Sequence, residues 1–210
     1  MTLFQPRAGW AGLSLVFLAL LVFHSLGFGQ ELSEEAQRAL EKELGELRIQ
    51  DQRDREREKA TRELAEEEKK TKEPAGFAGL RWGASPQEMS RFFDARETRS
   101  GKREKRFQAG YRIGAVPVTV DFFFLDNRLV HVTLSFEPTY SQDVEAAFRE
   151  RYGKPTADAG GAQFWLSKNV KVVLAHFFPR ETVAFFSTKE YLDYAEQREK
   201  KKGKAAAKNR

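Results

Sequence analysis

Two neighbouring stretches decide the fold: Val116-Pro-Val-Thr-Val-Asp-Phe-Phe-Phe-Leu125 and Leu129-Val-His-Val-Thr-Leu-Ser-Phe136. Both alternate with period two, as strands half-buried against a core do. Val118, Val120, Phe122 and Phe124 share one face, and so do Val130, Val132, Leu134 and Phe136. The two apolar faces coincide if Leu125 pairs with Leu129, which predicts a hairpin with a three-residue turn, Asp126-Asn127-Arg128. The same register gathers Thr119, Asp121, Phe123, His131, Thr133 and Ser135 on the opposite face.

Working outward, Ser85-Pro86-Gln87-Glu88 has serine as N-cap, proline at the first helical position and glutamate closing a capping box, so a short helix follows, burying Met89, Phe92 and Phe93. Residues 96–106 hold six basic groups against two acidic ones and read as a basic loop, with a short strand near Lys105–Gln108. A second helix is expected through Val144, Ala147, Phe148 and Tyr152, started by Thr139 or Ser141 and ended by Gly153 and Pro155. Strands Ala162–Leu166, Val170–Phe177 and Thr182–Thr188 come next, with turns at Ser167–Asn169 and Pro179–Glu181. Val170–Phe177 is apolar on both faces and predicts a central strand covered on both sides. Every strand-to-strand link is too short for a crossover, so the class is α+β, with antiparallel pairing and two packed helices. A duplicated helix–three-strand unit is compatible with this order, although aligning the two hairpins and aligning the two helices give different registers.

The chain has 210 residues, a net charge of +5 and no cysteine, which excludes disulfides, thiolate metal sites, thiol nucleophiles and a lipidated cysteine. Residues 1–29 read as a signal peptide: an apolar run from Leu13 to Phe23, then Gly27 and Gly29 at positions suiting cleavage before Gln30. Residues 30–75 form a charged helical arm, rich in Glu, Lys, Arg and Leu, with Gly45 as its one glycine before Lys72. Leu32, Ala36, Leu40, Leu44 and Leu47 make a stripe in its first half that stops after Ile49, too short for a sustained coiled coil. Acid-before-base pairs at i,i+4 are expected at Asp51–Arg55, Glu58–Arg62, Glu66–Lys70 and Glu68–Lys72. The globular domain spans 76–192, and 193–210 reads as a basic disordered tail.

The segment Gly79-Leu-Arg-Trp-Gly-Ala-Ser-Pro-Gln-Glu88 resembles the opening of a group of uncharacterised exported bacterial domains that begin Gly-x-x-Trp-Gly-x-Ser. Gly114–Val118, Phe122–Phe124, Tyr152–Pro155 and Trp165 are similar to later elements of that group. The resemblance implies an envelope location and an α+β fold, and no activity. By topology the domain is also similar to the lipoprotein of the outer-membrane assembly machinery, whose lipobox cysteine is missing here.

Asp121, His131, Thr133 and Ser135 are the best enzyme-like constellation. Asp121 faces Thr133 and lies diagonal to His131, while Ser135 is roughly 13 Å along the strand from His131, too far for direct activation. His176, among Val170, Val172 and Leu174, reads as a core histidine. No nucleophile-elbow, zinc-protease, Walker, dinucleotide or EF-hand motif occurs, and nothing calls for a cofactor or a metal. Phe123 shares the Asp121, His131 and Thr133 face, which is expected either to lie under a helix or to serve as a ligand or partner face.

Charge separates by segment: the arm (31–74) has 11 basic against 15 acidic residues, the domain (75–188) 16 against 12, and the C-terminal segment (189–210) 8 against 4. Arg99, Lys102, Arg103, Lys105 and Arg106 of the loop, with Lys200, Lys201, Lys202 and Lys204 of the tail, form a candidate surface for anionic lipid or cell-wall polyanions. Export argues against a nucleic-acid target.

The leading expectation is an exported, non-enzymatic binding or structural module of the bacterial envelope, meeting an envelope protein or cell-surface component and carried on a helical spacer. It would be periplasmic or secreted, or inner-membrane-anchored if the leader is retained. A polyanion binder and a hydrolase built on Asp121 and His131 are the alternatives.

Overall fold

The computed structural model describes residues 34–71, 73–177 and 181–208, so the leader, Leu32 and the turn at Pro179-Arg180 lie outside the described residues. The chain divides into two compact units, Met1–Glu56 and Arg57–Arg210. Helix α1 (Glu34–Thr71) begins in the first. Its residues up to Glu56 form a solvated helix, with Arg55–Asp51 paired at 2.7 Å and Leu47 and Ile49 exposed.

From Arg57 onward α1 belongs to the second unit. A two-stranded ribbon, β1 (Gly76–Phe77) and β2 (Leu80–Arg81), precedes helix α2 (Pro86–Phe92). Strands β3 (Arg96–Ser100), β4 (Glu104–Ile113), β5 (Val116–Leu125) and β6 (Arg128–Phe136) follow as a meander. Helix α3 (Ser141–Tyr152) opens a second meander of β7 (Ala157–Ala159), β8 (Ala162–Leu166), β9 (Val170–Phe177) and β10 (Glu181–Thr188). Helix α4 (Lys189–Lys208) ends the description. The eight strands form one antiparallel sheet of order β3-β4-β5-β6-β10-β9-β8-β7. The α+β expectation holds. Each half is a helix followed by four strands, where three were expected, and the last strands of the two halves, β6 and β10, pair at the centre.

One sheet face, here the inner face, is filled by rings. Phe93 lies 4.8 Å from Phe122, Phe122 6.3 Å from Phe77, Phe77 5.5 Å from Phe186, and Phe186 5.6 Å from Phe148. Phe77, delivered by the β1–β2 ribbon, therefore joins the cores of both halves. The ribbon is tight: Ala78 and Gly79 have φ of 45° and 89°, and a Cβ on Gly76 would sit 1.9 Å from the Leu80 carbonyl oxygen. The Gly-x-x-Trp-Gly-x-Ser segment is structural throughout. Trp82 Nε1 donates to the Pro74 carbonyl at 2.8 Å, Gly83 N donates to Leu129 O at 2.8 Å, and Ser85 completes the expected capping box.

Five local expectations need correction. The β5–β6 turn has two residues, Asp126 and Asn127, with φ of 50° and 62°, the left-handed pair that suits the twist of a tight hairpin. A β-bulge then places Val130 as an extra residue, so Phe124 pairs with Leu129 while Phe123 pairs with His131; Val130 turns away from Val132 and Leu134. The basic loop at 96–106 is the β3–β4 hairpin, its backbone groups taken up by the sheet. Neither Thr139 nor Ser141 caps α3, because a 3₁₀ turn over Pro138–Tyr140 leads in and Ser141 Oγ donates to the Pro138 carbonyl at 2.7 Å. Residues 193–208 of the segment expected as a disordered tail belong to α4, which starts at Lys189 and is rich in the good helix formers Lys, Glu, Gln and Ala.

The arm is also more than a spacer. Its docked part is the second half, where the apolar stripe has ended. Leu64 is 1% exposed, and a Cβ at Gly79 would meet Ala60 at 3.1 Å. Arg57 lies 5.5 Å above Phe93 and 5.2 Å above Tyr111, and Glu67 pairs with Arg81. Glu68 meets Arg151 of α3 at 2.9 Å, with both side chains nearly buried, and accepts from Ala75 N at 3.0 Å. Glu66 pairs with Lys69 rather than Lys70, and Lys72, the expected partner of Glu68, lies outside the described residues.

Candidate functional site

The sheet's second face, the outer face, carries the expected cluster. Asp121 pairs with Thr133 and Phe123 with His131, so the structure brings all four residues to one side. A helix covers part of it, and that helix is α4 rather than the arm. Tyr191 stacks on His131 with ring centroids 4.0 Å apart and meets Phe123 edge-on at 5.2 Å. Tyr194 packs on Phe123 at 6.2 Å, and both tyrosines close a small cluster of Phe123, Leu125 and Val130. The side chain displaced by the bulge is therefore the one that seats the helix.

His131 is 8% exposed. Its Nδ1 lies 2.9 Å from Ser187 Oγ and its Nε2 3.0 Å from Thr133 Oγ1, so both ring nitrogens are engaged by hydroxyls. Burial, with the charge of Arg106 adding to it, pushes the imidazole down to about 3. A neutral, enclosed ring is the result. Asp121 accepts from Gln108 Nε2 at 3.2 Å, and no ring nitrogen of His131 remains for it, so the Asp–His pairing required by the hydrolase alternative is not made. His176 is half-buried on the inner face, its Nδ1 3.4 Å from Thr182 Oγ1.

The basic residues divide. Arg103 forms a two-pronged pair with Asp126, which holds the Asp126 carboxyl below its usual range. Arg106 lies 5.1 Å above the Phe123 ring. Lys200 pairs with Glu196 at 2.5 Å and Lys202 with Glu199 at 2.6 Å. Arg99, Lys102, Lys201 and Lys204 remain exposed, and Lys105 is half-buried. Glu104 accepts from the Tyr194 hydroxyl and pairs with Arg198 at 3.4 Å, fastening the β3–β4 hairpin to α4. That hydrogen bond lowers the Glu104 carboxyl and raises the Tyr194 phenol.

Beyond α4 the outer face is partly accessible among the described residues, although Val183 of β10 is buried there. One straight cross-strand row runs through all eight strands: Arg96, Gln108, Asp121, Thr133, Phe185, Val173, Phe164 and Ala157 are successive register partners. Thr133, Phe185, Val173 and Phe164 are all only half-buried. β9 is therefore interior to the sheet but not covered on both sides, contrary to expectation. The row grades from basic and polar at β3 to aromatic and aliphatic at β8. Sequence reasoning missed Phe185, Val173 and Phe164, since only the β6–β10 pairing extends the Asp121–Thr133 row into them. It also missed Tyr191 and Tyr194, whose i,i+3 aromatic spacing after a strand was the available signal. Among the described residues no group of three or more His, Asp or Glu is placed to hold a metal ion, and no helix is long and apolar enough to cross a membrane. No family model, curated protein or solved structure matches this chain.

Proposed function

We propose that this protein is an exported, non-enzymatic binding module of the bacterial cell envelope. The observation that carries the reading is the asymmetry of the sheet: three helical segments and a ribbon fill its inner face, while Phe185, Val173 and Phe164 on the outer one are only half-buried, with His131 beside Phe185 and Lys171 over the Phe164 ring. Half-exposed apolar side chains in register across several strands are a surface for a partner. The apolar leader and the resemblance to exported domains support the location. The test is chemical cross-linking of the full chain in its native envelope. Reproducible adducts with an envelope component are expected, and a clean blank overturns the reading.

A polyanion-binding reading is favoured by one observation, the fastening of the basic hairpin to basic α4 through Glu104. It is the weaker of the two because Arg103, Lys200 and Lys202 already have acidic partners. Deleting residues 199–210 should weaken binding to anionic vesicles in a salt-dependent way, and unchanged binding rejects it.

A further inference from the structure

We propose that the open part of the outer face binds an acidic, amphipathic helix of a partner protein, laid across the strands beside α4. The inference rests on the binding-module reading and names the partner's chemistry. Two observations commit it to this occupant. First, the surface is graded in charge. Arg96, Arg99 and Arg112 stand exposed at the β3–β4 end, where Arg96 and Arg99 have no ion pair among the described residues, while Phe185, Val173 and Phe164 form the apolar end. On the outer face the carboxylates at this end are engaged, Asp121 by Gln108 and Glu104 by Tyr194 and Arg198, while Glu97 lies in register with inner-face Phe107. An occupant with acidic residues at one end and apolar residues at the other complements it.

Second, although α4 is basic overall, its acidic first turns, with Glu190, Asp193 and Glu196, already dock next door. The start of α4 lies on the adjoining strip through Tyr191 and Tyr194, and its acidic Glu190 pairs with Arg128 at 2.5 Å. The open strip continues that interface. Seven inter-strand steps of about 4.8 Å give it a length of roughly 34 Å, the span of a helix of about 22 residues. The β3 end steers and orients such a helix, and the three apolar side chains bury its stripe, an arrangement of the helix-in-groove type.

The experiment places a photo-cross-linking amino acid singly at Phe164, Val173 and Phe185 in the full chain, with exposed Gln142 and Glu150 of α3 as positions off the face. The protein is expressed in the cells that make it, irradiated, and the cross-linked peptides are sequenced by mass spectrometry. Expected are adducts at the three face positions to one partner segment carrying acidic residues and an i,i+3,i+4 apolar stripe. Arg96→Glu combined with Arg99→Glu should lower their yield about fivefold, the effect of reversing two exposed charges. Both arginines are exposed, so folding is retained, and an unchanged thermal transition checks it. Adducts to a second copy of this chain, to lipid or to a segment without acidic residues overturn the proposal. So does a yield that the double substitution leaves unchanged. Adducts at Gln142 or Glu150 with a silent face overturn this proposal alone; silence at all five positions overturns the binding-module reading as well.

Discussion

The two faces of the eight-stranded sheet are built from the same alternating strands, yet they differ in kind. On the inner face Phe122, Val132, Leu134 and Phe186 are each at most 1% exposed and belong to a ring-to-ring core. On the outer face a short stretch of α4 hides Phe123 and His131, and Thr133, Phe185, Val173 and Phe164 of the neighbouring row stay half-buried. The difference teaches where stability and availability are divided: burying one face is enough to hold the sheet, which leaves the other for a docked helix and a free strip.

The sharpest break of this contrast is Phe122→Ala. Its ring contacts Phe77 and Phe93 in a fully buried site, so a loss of about 3–5 kcal/mol is expected in denaturant unfolding. A loss under about 1 kcal/mol would mean that the inner face is not the core. Next in size is Glu68→Gln, which leaves the nearly buried Arg151 without its carboxylate and should cost about 2–3 kcal/mol. Faster hydrogen exchange over residues 57–71 should accompany it; an unchanged exchange pattern there would show that the pair does not hold α1 down.

The third prediction concerns pH. His131 is held near 3 when folded and is taken as about 6.5 when unfolded. A depressed folded pKa favours proton uptake by the unfolded chain, so this stability is complete above about pH 6.5 and declines as pH falls towards 3. Between pH 7.5 and 5 the expected loss is about 2 kcal/mol. In His131→Gln that slope should vanish, as read by denaturant midpoints across pH, and a wild-type slope in the variant would contradict the enclosed neutral ring. The smallest effect belongs to the open strip. Val173→Thr should change stability by no more than about 0.5 kcal/mol, because a half-exposed position loses little. A cost approaching that of an inner-face substitution would show that the strip is covered.

Much of this was readable from residue patterns. Period-two alternation in 116–136 fixes which side chains share a face, because the pleat permits no other choice, and the Ser85 to Glu88 capping box and Gly153 fix helix ends by local hydrogen bonding. The hairpin turn escaped because the face-matching argument counts register but does not distinguish a three-residue turn from a two-residue turn with a bulge at Val130. The docking of Arg57–Thr71 escaped because it uses Leu64, charged groups and ring faces in place of an apolar stripe.

Local pattern thus settled strands β5, β6, β8, β9 and β10, the start of α2, the shared face of Asp121, Phe123, His131 and Thr133, and the absence of any thiol chemistry. Tertiary structure alone decided three other matters. β6 pairs with β10, joining the two meanders into one sheet; α4 rather than the arm covers His131; and the row from Arg96 to Phe164 lies open. The physical reason is range. Alternation and capping act between residues a few positions apart, whereas Thr133 meets Phe185, and His131 meets Tyr191, only after more than fifty intervening residues have folded back upon the sheet.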